Sequence, residues 1–204
     1  AYQEGENCQL QNCKKEEQVM VHQLVNFEKY LWKGAGLNLP LSLLRTERSW
    51  GVGEFTDLYA LVDWVKATGV QLIQLLPIND TTATHTDSDS YPYSAISAFA
   101  LHPMHLNVRK ISAPRLIKLP ATFLDKAKTL NEADTLQYAA ANELKWEVIQ
   151  FIFKQIGNSF LEDEQWKTFY ADNKEWLLPY AAYCYYRDMY KTSDFKLWKT
   201  GQTY

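Results

Sequence analysis

The residues best suited to chemistry in this chain lie in the segment from Asp89 to Pro103, which opens with Asp-Ser-Tyr-Pro-Tyr-Ser. Its first six residues hold two tyrosines, two serines and a carboxylate. Tyrosine rings can stack on the flat face of a polyol, while hydroxyl and carboxylate groups can hydrogen-bond to its rim. This combination of side chains suits the binding of a sugar.

The position of this segment in the chain supports a binding role. It follows an apolar run, Gln71 to Pro77, that ends in proline and is typical of a buried parallel strand stopping at its C-terminal end. In an α/β barrel, the loops that bind and transform substrates leave the sheet at that end of the strands. We therefore expect the segment to lie at the binding face of a sheet.

The residues before this strand predict a βαβ unit. A first strand is predicted over Gly36–Leu44, followed by a loop over 45–53. A helix then opens at Glu54 and is closed by Gly69, a residue that readily takes the left-handed cap conformation. The second strand, 71–76, follows within two residues. A strand, a helix and a strand in this order require a parallel pair with a crossover.

Behind this unit the pattern is mostly helical. Apolar residues recur every four positions from Leu144 to Ile156 and stop before Gly157. Further helices are predicted over 164–170 and 176–190, and the tyrosines that crowd the second of these are assigned to the core. Two parallel strands cannot hide both faces and both edges by themselves, so we expect further strands to complete the sheet.

Composition indicates a packed globular protein, because 47% of the 204 residues are hydrophobic and 22% are charged. A net charge of −3 and a pI near 5.8 give no electrostatic reason to expect nucleic acid or an anionic membrane as a partner. No apolar window is long enough for a membrane helix and no signal peptide opens the chain, so a cytoplasmic location is expected. The cysteines, Cys8, Cys13 and Cys184, are predicted to be free thiols.

Two other groups of residues invite functional interpretations that we weigh against simpler ones. Gly51 and Gly53 are interpreted as a tight turn, because the third glycine of a dinucleotide loop is missing and Glu54 would repel a phosphate. His102 and His105 are assigned to packing or capping, since no nucleophile or carboxylate is placed beside them by spacing.

The acidic loop also raises the question of a metal. His85, Asp87 and Asp89, with Asp80 nearby, supply enough donors for a divalent cation, and a metal-dependent barrel hydrolase that uses them is kept as a weaker alternative. All of these donors lie in one polar loop, whereas metal sites usually orient their ligands from rigid elements. We therefore predict no metal and no other cofactor. Asp57, on the predicted first helix, is expected at the surface.

Five stretches of this sequence, taken together, resemble the amylomaltases, the 4-α-glucanotransferases or disproportionating enzymes of glycoside hydrolase family 77. They are Gly34–Leu44, Trp50–Phe55, Leu72–Asp80, Asp89–Ser94 and Trp176–Tyr190, the last with Thr-Ser-Asp shortly after it. The sequence is more similar to the subgroup typified by the plant cytosolic disproportionating enzyme. The resemblance covers roughly residues 31–204 and its motifs occur in the family's order.

The resemblance implies a fold and a reaction. The fold is α/β: residues 31–110 would form the first βαβ part of a (β/α)8 TIM barrel with its substrate loop, and residues 111–204 a mostly helical subdomain inserted in the barrel. Residues 1–30 would be an N-terminal extension or linker. The reaction is the retaining transfer of α-1,4-glucosyl units from maltose or maltodextrins to a glucan or sugar acceptor. Maltose, maltodextrins and branched glucans are the implied partners, and starch-binding modules precede the barrel in the plant-like subgroup.

The resemblance also implies a binding role for four residues. Tyr93 matches the tyrosine expected to stack on the glucose at the cleavage point, Ser90 matches a serine beside it, and Tyr91 and Asp89 are their neighbours. No residue matches the family's nucleophile, its acid/base or its third carboxylate, which belong to later barrel strands. This chain by itself is therefore expected to be inactive, and a carbohydrate-binding or scaffold fragment without chemistry stays open as the alternative.

Overall fold

The computed structural model describes residues 34–201, which contain two short strands and five α-helices joined by turns of 3-10 helix. The strands are β1 (Gly36–Leu39) and β2 (Leu72–Leu75). The helices are α1 (Asp57–Thr68), α2 (Val108–Ser112), α3 (Ala121–Glu132), α4 (Tyr138–Leu161) and α5 (Glu164–Tyr190). The extension predicted over 1–30, with its two cysteines, lies outside the described residues. Of the helices that are described, none has the length and hydrophobicity needed to span a lipid bilayer.

The predicted βαβ unit is confirmed by β1, α1 and β2. The two strands pair in parallel, with Gly36 opposite Leu72 and Leu39 opposite Leu75. Helix α1 ends at Gly69, whose φ of 75° is the left-handed cap that the sequence predicts. The loop that follows β2 therefore leaves the sheet at the C-terminal end of a parallel strand.

The first strand is shorter than predicted. It ends at Leu39 instead of Leu44, and the chain continues into a 3-10 helix, Leu41–Leu43. Pro40 separates the two and explains the difference, because proline has no N–H to donate to a strand ladder.

Helix α1 begins at Asp57 rather than at Glu54, and Asp57 itself is buried. Its carboxylate accepts hydrogen bonds of 2.8–3.1 Å from the hydroxyls of Thr46 and Ser49 and from the backbone N–H of Glu54. The prediction that Asp57 lies at the surface is wrong, because these donors replace water around the carboxylate. The aspartate ties the loop after β1 to the first turn of the helix.

The two strands are less buried than their apolar sequence predicts. Residues in both strands alternate between exposed and half-buried, and Leu72 is 49% exposed. A sheet of two strands covers neither its edges nor both of its faces. The strand predicted over 71–76 is therefore present as β2, but it is not buried within the described part of the chain.

The helical part follows the predicted periodicity but not the predicted divisions. The backbone of α4 departs from helical geometry at Gly157, where the apolar pattern predicts an end. The helices predicted over 164–170 and 176–190 are one continuous helix, α5, which contains Pro179. Residues 172–175 are polar and interrupt the apolar pattern, but they include no glycine or proline, so nothing in them ends a helix.

The main core joins the loop before α1 to the helices. Its buried members are Trp50, Val108, Ala127, Leu144, Val148 and Ile152. The three residues from α4 are those that the four-residue spacing predicts as the buried face. The division of the chain at residues 110 and 111 stays a prediction, but Trp50 shows that one core draws on both sides of it.

The turn before α1 depends on two glycines. Gly51 has a φ of 82°, in the left-handed region that favours glycine. Gly53 lies so close to the neighbouring backbone that a Cβ atom there would be 1.9 Å from the Leu41 carbonyl oxygen. Both residues therefore serve the tight turn that the sequence predicts.

Candidate functional site

The tip of the loop after β2 is shaped by one buried carboxylate. Asp89 lies in a short 3-10 helix, Asp87–Ser90, and is only 4% exposed. Its carboxylate accepts hydrogen bonds of 2.7–3.1 Å from the backbone N–H groups of Thr84 and His85 and from the Thr84 hydroxyl. Asp89 thus orders the loop from the inside, and its oxygens already have protein donors.

Two exposed tyrosines follow this turn. Tyr91 is 59% exposed and Tyr93 is 62% exposed, and their ring centroids lie 5.5 Å apart with the planes inclined by 49°. The backbone N–H of Ser94 donates to the Tyr91 carbonyl at 3.1 Å, which tightens the turn that presents both rings. Ser90, just before them, is exposed as well. The loop therefore presents two aromatic faces with hydroxyl groups beside them, a surface that a sugar ring can use.

The loop rests on a buried hydrogen-bond network centred on His102. Its Nδ1 accepts from the Met104 N–H at 3.2 Å, so Nε2 carries the proton of the neutral ring and lies 2.8 Å from the Tyr138 hydroxyl oxygen. That hydroxyl lies 3.1 Å from the hydroxyl of Thr81, which donates to the Asp89 carbonyl at 2.5 Å. The network connects α4 to the loop tip, and the assignment of His102 to capping is confirmed.

Burial sets the charge of the titratable groups beneath the loop. Burial lowers the pKa of His102, although the nearby carboxylates Asp80 and Asp89 oppose the shift. It lowers the pKa of His105 to about 4, even though His105 is hydrogen-bonded to the carbonyl of Gly53. Burial also raises the pKa of Tyr138 to about 12. All three side chains are therefore neutral near pH 7, so they serve as hydrogen-bonding groups and not as charges.

Asp80 fixes the start of the loop to α5. One of its carboxylate oxygens accepts from the Tyr180 hydroxyl at 2.6 Å and the other accepts from the Thr82 N–H at 2.9 Å. Burial and the neighbouring Asp80 raise the pKa of Tyr180 well above its usual range, so the phenol stays a donor. Arg187, from the same helix, donates to the carbonyl of Thr82. The long helix thus holds the first residues of the loop at two points.

The residues considered for a metal are turned toward different partners. His85 Nε2 lies 2.8 Å from an oxygen of Asp188, and Asp87 accepts a backbone N–H at the start of α4 at 2.9 Å. Asp80 and Asp89 are engaged as described above. Within residues 34–201, no three His, Cys, Asp or Glu side chains are grouped as metal ligands would be. Each of these four side chains is engaged in a contact within the fold.

A buried ion pair between the loop before α1 and α4 is a feature that sequence reasoning missed. Lys145 donates to the Glu54 carboxylate and, at 2.7 Å, to the Leu106 carbonyl. Burial raises the pKa of Glu54 and lowers that of Lys145, while their mutual attraction opposes both shifts. The one available signal is that Lys145 stands three residues before Val148 on the apolar face of α4. Its partner Glu54 lies far away in the sequence, and no local pattern around Glu54 indicates the pairing.

Comparison with known proteins gives consistent matches. A family model described as 4-alpha-glucanotransferase, glycoside hydrolase family 77, matches residues 39–204. The chain is 41% identical over 167 residues to the 4-alpha-glucanotransferase DPE2 of Oryza sativa subsp. japonica, covering 82% of this chain and 18% of that protein. It is 32% identical over 149 residues to the 4-alpha-glucanotransferase of Chlamydia caviae, covering 72% and 27%. For the enzyme of the same name from Aquifex aeolicus the values are 29% over 150 residues, 73% and 28%. The chain therefore spans less than a third of the length of these relatives.

Proposed function

Because this chain belongs to the 4-α-glucanotransferase family, glycoside hydrolase family 77, we propose that the protein transfers α-1,4-glucosyl units from maltose or maltodextrins to a glucan or sugar acceptor. The transfer proceeds with retention, through two displacements. A carboxylate attacks the anomeric carbon while a carboxylic acid protonates the leaving oxygen, and the same acid then activates the incoming hydroxyl as a base. When the incoming hydroxyl belongs to a sugar instead of water, the outcome is transfer.

The exposed pair of tyrosine rings on a loop fixed from below is the observation that carries this proposal. Tyr93 stacks on the glucose ring at the cleavage point, Tyr91 adds a second aromatic face, and Ser90 hydrogen-bonds the rim of the sugar. Asp89 acts from inside the turn, since its carboxylate is occupied by Thr84 and His85. Because the loop is already ordered, little conformational entropy is lost when a sugar binds.

We place neither catalytic carboxylate within residues 34–201. The buried carboxylates of that part of the chain are Glu54, Asp57, Asp80 and Asp89. Each of them accepts hydrogen bonds from protein donors. A retaining pair needs two carboxyl groups about 5 to 5.5 Å apart on either side of the sugar bond. The proposal is that both are supplied by other parts of the protein and that this chain alone is inactive.

The architecture that goes with this function is the opening part of a (β/α)8 barrel. The parallel pairing of β1 and β2 across α1 supports it, and the exposed strand faces are surfaces that further strands would cover. Residues 111–204, which hold α3 to α5, correspond to the helical insertion. Starch-binding modules upstream, branched glucans as partners and a cytoplasmic location rest on the family resemblance.

The test is a disproportionation assay with maltotriose on the full-length protein, which should release glucose and form longer glucans. Tyr93→Ala is expected to lower the transfer rate at least about tenfold, because it removes the ring that stacks on the sugar and the area that this contact buries. Tyr93→Phe keeps the ring and should retain most of the rate. Tyr59→Ala, which removes an exposed tyrosine of α1, is the matched control and should change nothing.

Two results would count against the proposal. An unchanged rate in Tyr93→Ala would refute the assignment of the sugar-stacking residue. Binding of maltotriose without any transfer by the full-length protein would favour the second candidate, a carbohydrate-binding protein without chemistry. The four buried carboxylates all accept hydrogen bonds from protein donors, and this observation keeps the second candidate open.

A further inference from the structure

The first turn of α4 contacts the short 3-10 helix that precedes the two exposed tyrosines. Helix α4 begins at Tyr138, a buried residue whose hydroxyl oxygen lies 3.1 Å from the hydroxyl of Thr81. The backbone N–H of the next residue, Ala139, donates to the carboxylate of Asp87 at 2.9 Å. Asp87 opens the 3-10 helix that also contains Asp89. The start of α4 is therefore connected to this part of the loop both through a side chain and through the backbone.

The hydrogen bonds that pass through the Tyr138 hydroxyl form a chain with a single direction. Because the Nδ1 atom of His102 accepts from the Met104 N–H, the Nε2–H of the ring donates to the Tyr138 oxygen at 2.8 Å. The Tyr138 hydroxyl in turn donates to the Thr81 oxygen, and the Thr81 hydroxyl donates to the Asp89 carbonyl at 2.5 Å. Each of the two hydroxyls thus accepts one hydrogen bond and donates one. The loss of either hydroxyl breaks the chain in its middle.

Burial shields this chain of hydrogen bonds from water. Thr81, His102 and Tyr138 are each no more than 6% exposed. The Thr82 hydroxyl, at 3.4 Å from His102 Nε2, is too distant to replace the Tyr138 oxygen as an equal partner. Without the Tyr138 hydroxyl, the Nε2–H of His102 would lose its close acceptor and the Thr81 hydroxyl would be free to rotate. The donor that fixes the Asp89 carbonyl would then no longer be held in place.

The carbonyl at the end of this chain is close in sequence to the residues proposed to bind sugar. Asp89 lies two residues before Tyr91 and four before Tyr93. Its carboxylate is held by residues of the same loop, whereas its carbonyl is connected through Tyr138 to α4. The first contacts give the loop its shape, and the second set its position relative to the helix. Position matters for the reaction, because a misplacement of about 1 Å can slow catalysis by a large factor.

We propose that Tyr138 is a positioning residue for sugar binding and transfer, which acts through Thr81 to hold the Asp89 carbonyl. The position of that carbonyl sets where the rings of Tyr91 and Tyr93 meet the sugar. Tyr138 itself is buried and does not touch the sugar. This inference rests on the proposed function, since it gives Tyr138 a role at the same site. It also gives the helical part of the chain a share in substrate binding, because Tyr138 belongs to α4.

The test uses Tyr138→Phe in the full-length protein, because this substitution removes the hydroxyl and keeps the ring. In the maltotriose disproportionation assay, kcat/KM is expected to fall about threefold to tenfold, since the stacking rings are no longer held in register with the sugar. Thr81→Val, which removes the next hydroxyl and keeps the shape of the side chain, should have the same effect. Tyr185→Phe is the matched control, because it removes the hydroxyl of an exposed tyrosine on α5 and should change nothing.

Two further measurements separate positioning from a general loss of stability. Hydrogen exchange followed by mass spectrometry should quicken in residues 84–94 of Tyr138→Phe while the interior of α4 keeps its protection, whereas a destabilised fold would exchange faster throughout. In protein that already carries Tyr93→Ala, Tyr138→Phe should lower kcat/KM by less than about twofold, because the ring that it positions is absent. A fully additive loss in this double variant, or unaltered exchange in residues 84–94, would overturn the proposal.

The outcomes also separate this inference from the proposed function. If the full-length protein transfers glucosyl units and Tyr138→Phe or Thr81→Val leaves kcat/KM unchanged, the positioning role alone is refuted. If the protein binds maltotriose without transfer, the same comparison is made on the dissociation constant from calorimetry, and weaker binding in Tyr138→Phe supports the role of Tyr138 while the reaction is refuted. A full-length protein that neither transfers nor binds maltotriose refutes the proposed function and this inference with it.

Discussion

Among single residues, Lys145 has the most demanding environment. Its ammonium group donates to Glu54 and to a backbone carbonyl, and it lies 5.9 Å from the centroid of the Trp50 ring in the main core. Removing water from two charges is costly, and the pair offsets this cost only while both partners are present. Loss of one partner therefore leaves a buried charge without compensation.

Lys145→Met is expected to lower the free energy of unfolding by about 3 to 5 kcal/mol, because it leaves Glu54 buried and unpaired. The double variant Glu54→Met with Lys145→Met should recover most of this loss, since it removes both charges and keeps apolar volume. Urea denaturation followed by circular dichroism measures both. A loss below about 1 kcal/mol in the single variant, the range of a surface ion pair, would contradict the interpretation.

His105 makes stability depend on pH. Its pKa is lowered by burial from 6.5 to about 4 in the folded protein. Between these values the unfolded chain binds a proton that the folded chain does not, so stability rises with pH in this window and is lost as pH falls through it. Between pH 7 and pH 5 this histidine should cost about 2 kcal/mol.

Urea unfolding at a series of pH values measures this dependence. His105→Asn, whose amide can still donate to the Gly53 carbonyl, should flatten the slope. An unaltered slope in His105→Asn would show that the acid sensitivity arises elsewhere.

At the scale of the elements, the two glycines that flank α1, Gly53 before it and Gly69 after it, differ in the space around them. A Cβ at Gly53 would lie 1.9 Å from the Leu41 carbonyl oxygen, whereas a Cβ at Gly69 would meet nothing within 4 Å and would suffer only from a φ of 75°. Gly69→Ala should therefore cost about 1 kcal/mol and Gly53→Ala about 3 kcal/mol. Melting temperatures of the two variants decide this, and the reverse order would contradict it.

For the loop after β2, we predict that ligand affinity depends on the conformational order of the loop as well as on the side chains that contact the ligand. Asp89→Ala keeps both tyrosine side chains in the loop but removes the carboxylate that accepts hydrogen bonds from Thr84 and His85. Because a mobile loop must be ordered again on binding, maltotriose affinity should fall about tenfold by calorimetry. Asp63→Ala, at an exposed position of α1, is the control. Undiminished affinity in Asp89→Ala would mean that the buried carboxylate does not position the rings.

The sequence could predict elements whose signals are local. The Gly69 cap, the parallel strand pair and the buried face containing Leu144 and Val148 follow from periodicity and from glycine chemistry. The sequence could also point to the loop at Asp89 as a sugar-binding candidate. It could not show that Asp89 faces inward while Tyr91 is exposed, because the hydrogen-bond partners of the carboxylate are decided by the folded path of the loop. Long-range partners, such as Glu54 for Lys145, leave no local pattern.

In the molecule as a whole, the uncovered sheet is the largest departure from a self-sufficient fold. Exposed residues of β2 alternate with half-buried ones, and the strand edges have no further partner among the described residues. Exposed strand edges promote association between copies of a chain. We therefore expect the 204-residue chain to associate with itself when it is expressed alone.

Leu72→Lys should reduce this association, as measured by light scattering, because a charge on an exposed strand opposes pairing. In the full-length protein the same substitution should lower the melting temperature, since the proposed barrel covers Leu72. Leu116→Lys, at a highly exposed position away from the sheet, is the control in both proteins. Equal tolerance of Leu72→Lys in both would argue against the barrel.

The contacts by which α5 holds the loop after β2 also have a consequence for protein synthesis. Tyr180 and Arg187 contact residues that precede them by 100 and 105 positions. A ribosome adds roughly 5 to 20 residues each second, so the loop emerges on the order of 5 to 20 s before the helix that holds it. During this interval the nascent loop has neither anchor, and its tyrosines are available to chaperones. The surface that we propose for sugar binding is thus made early in translation and completed late.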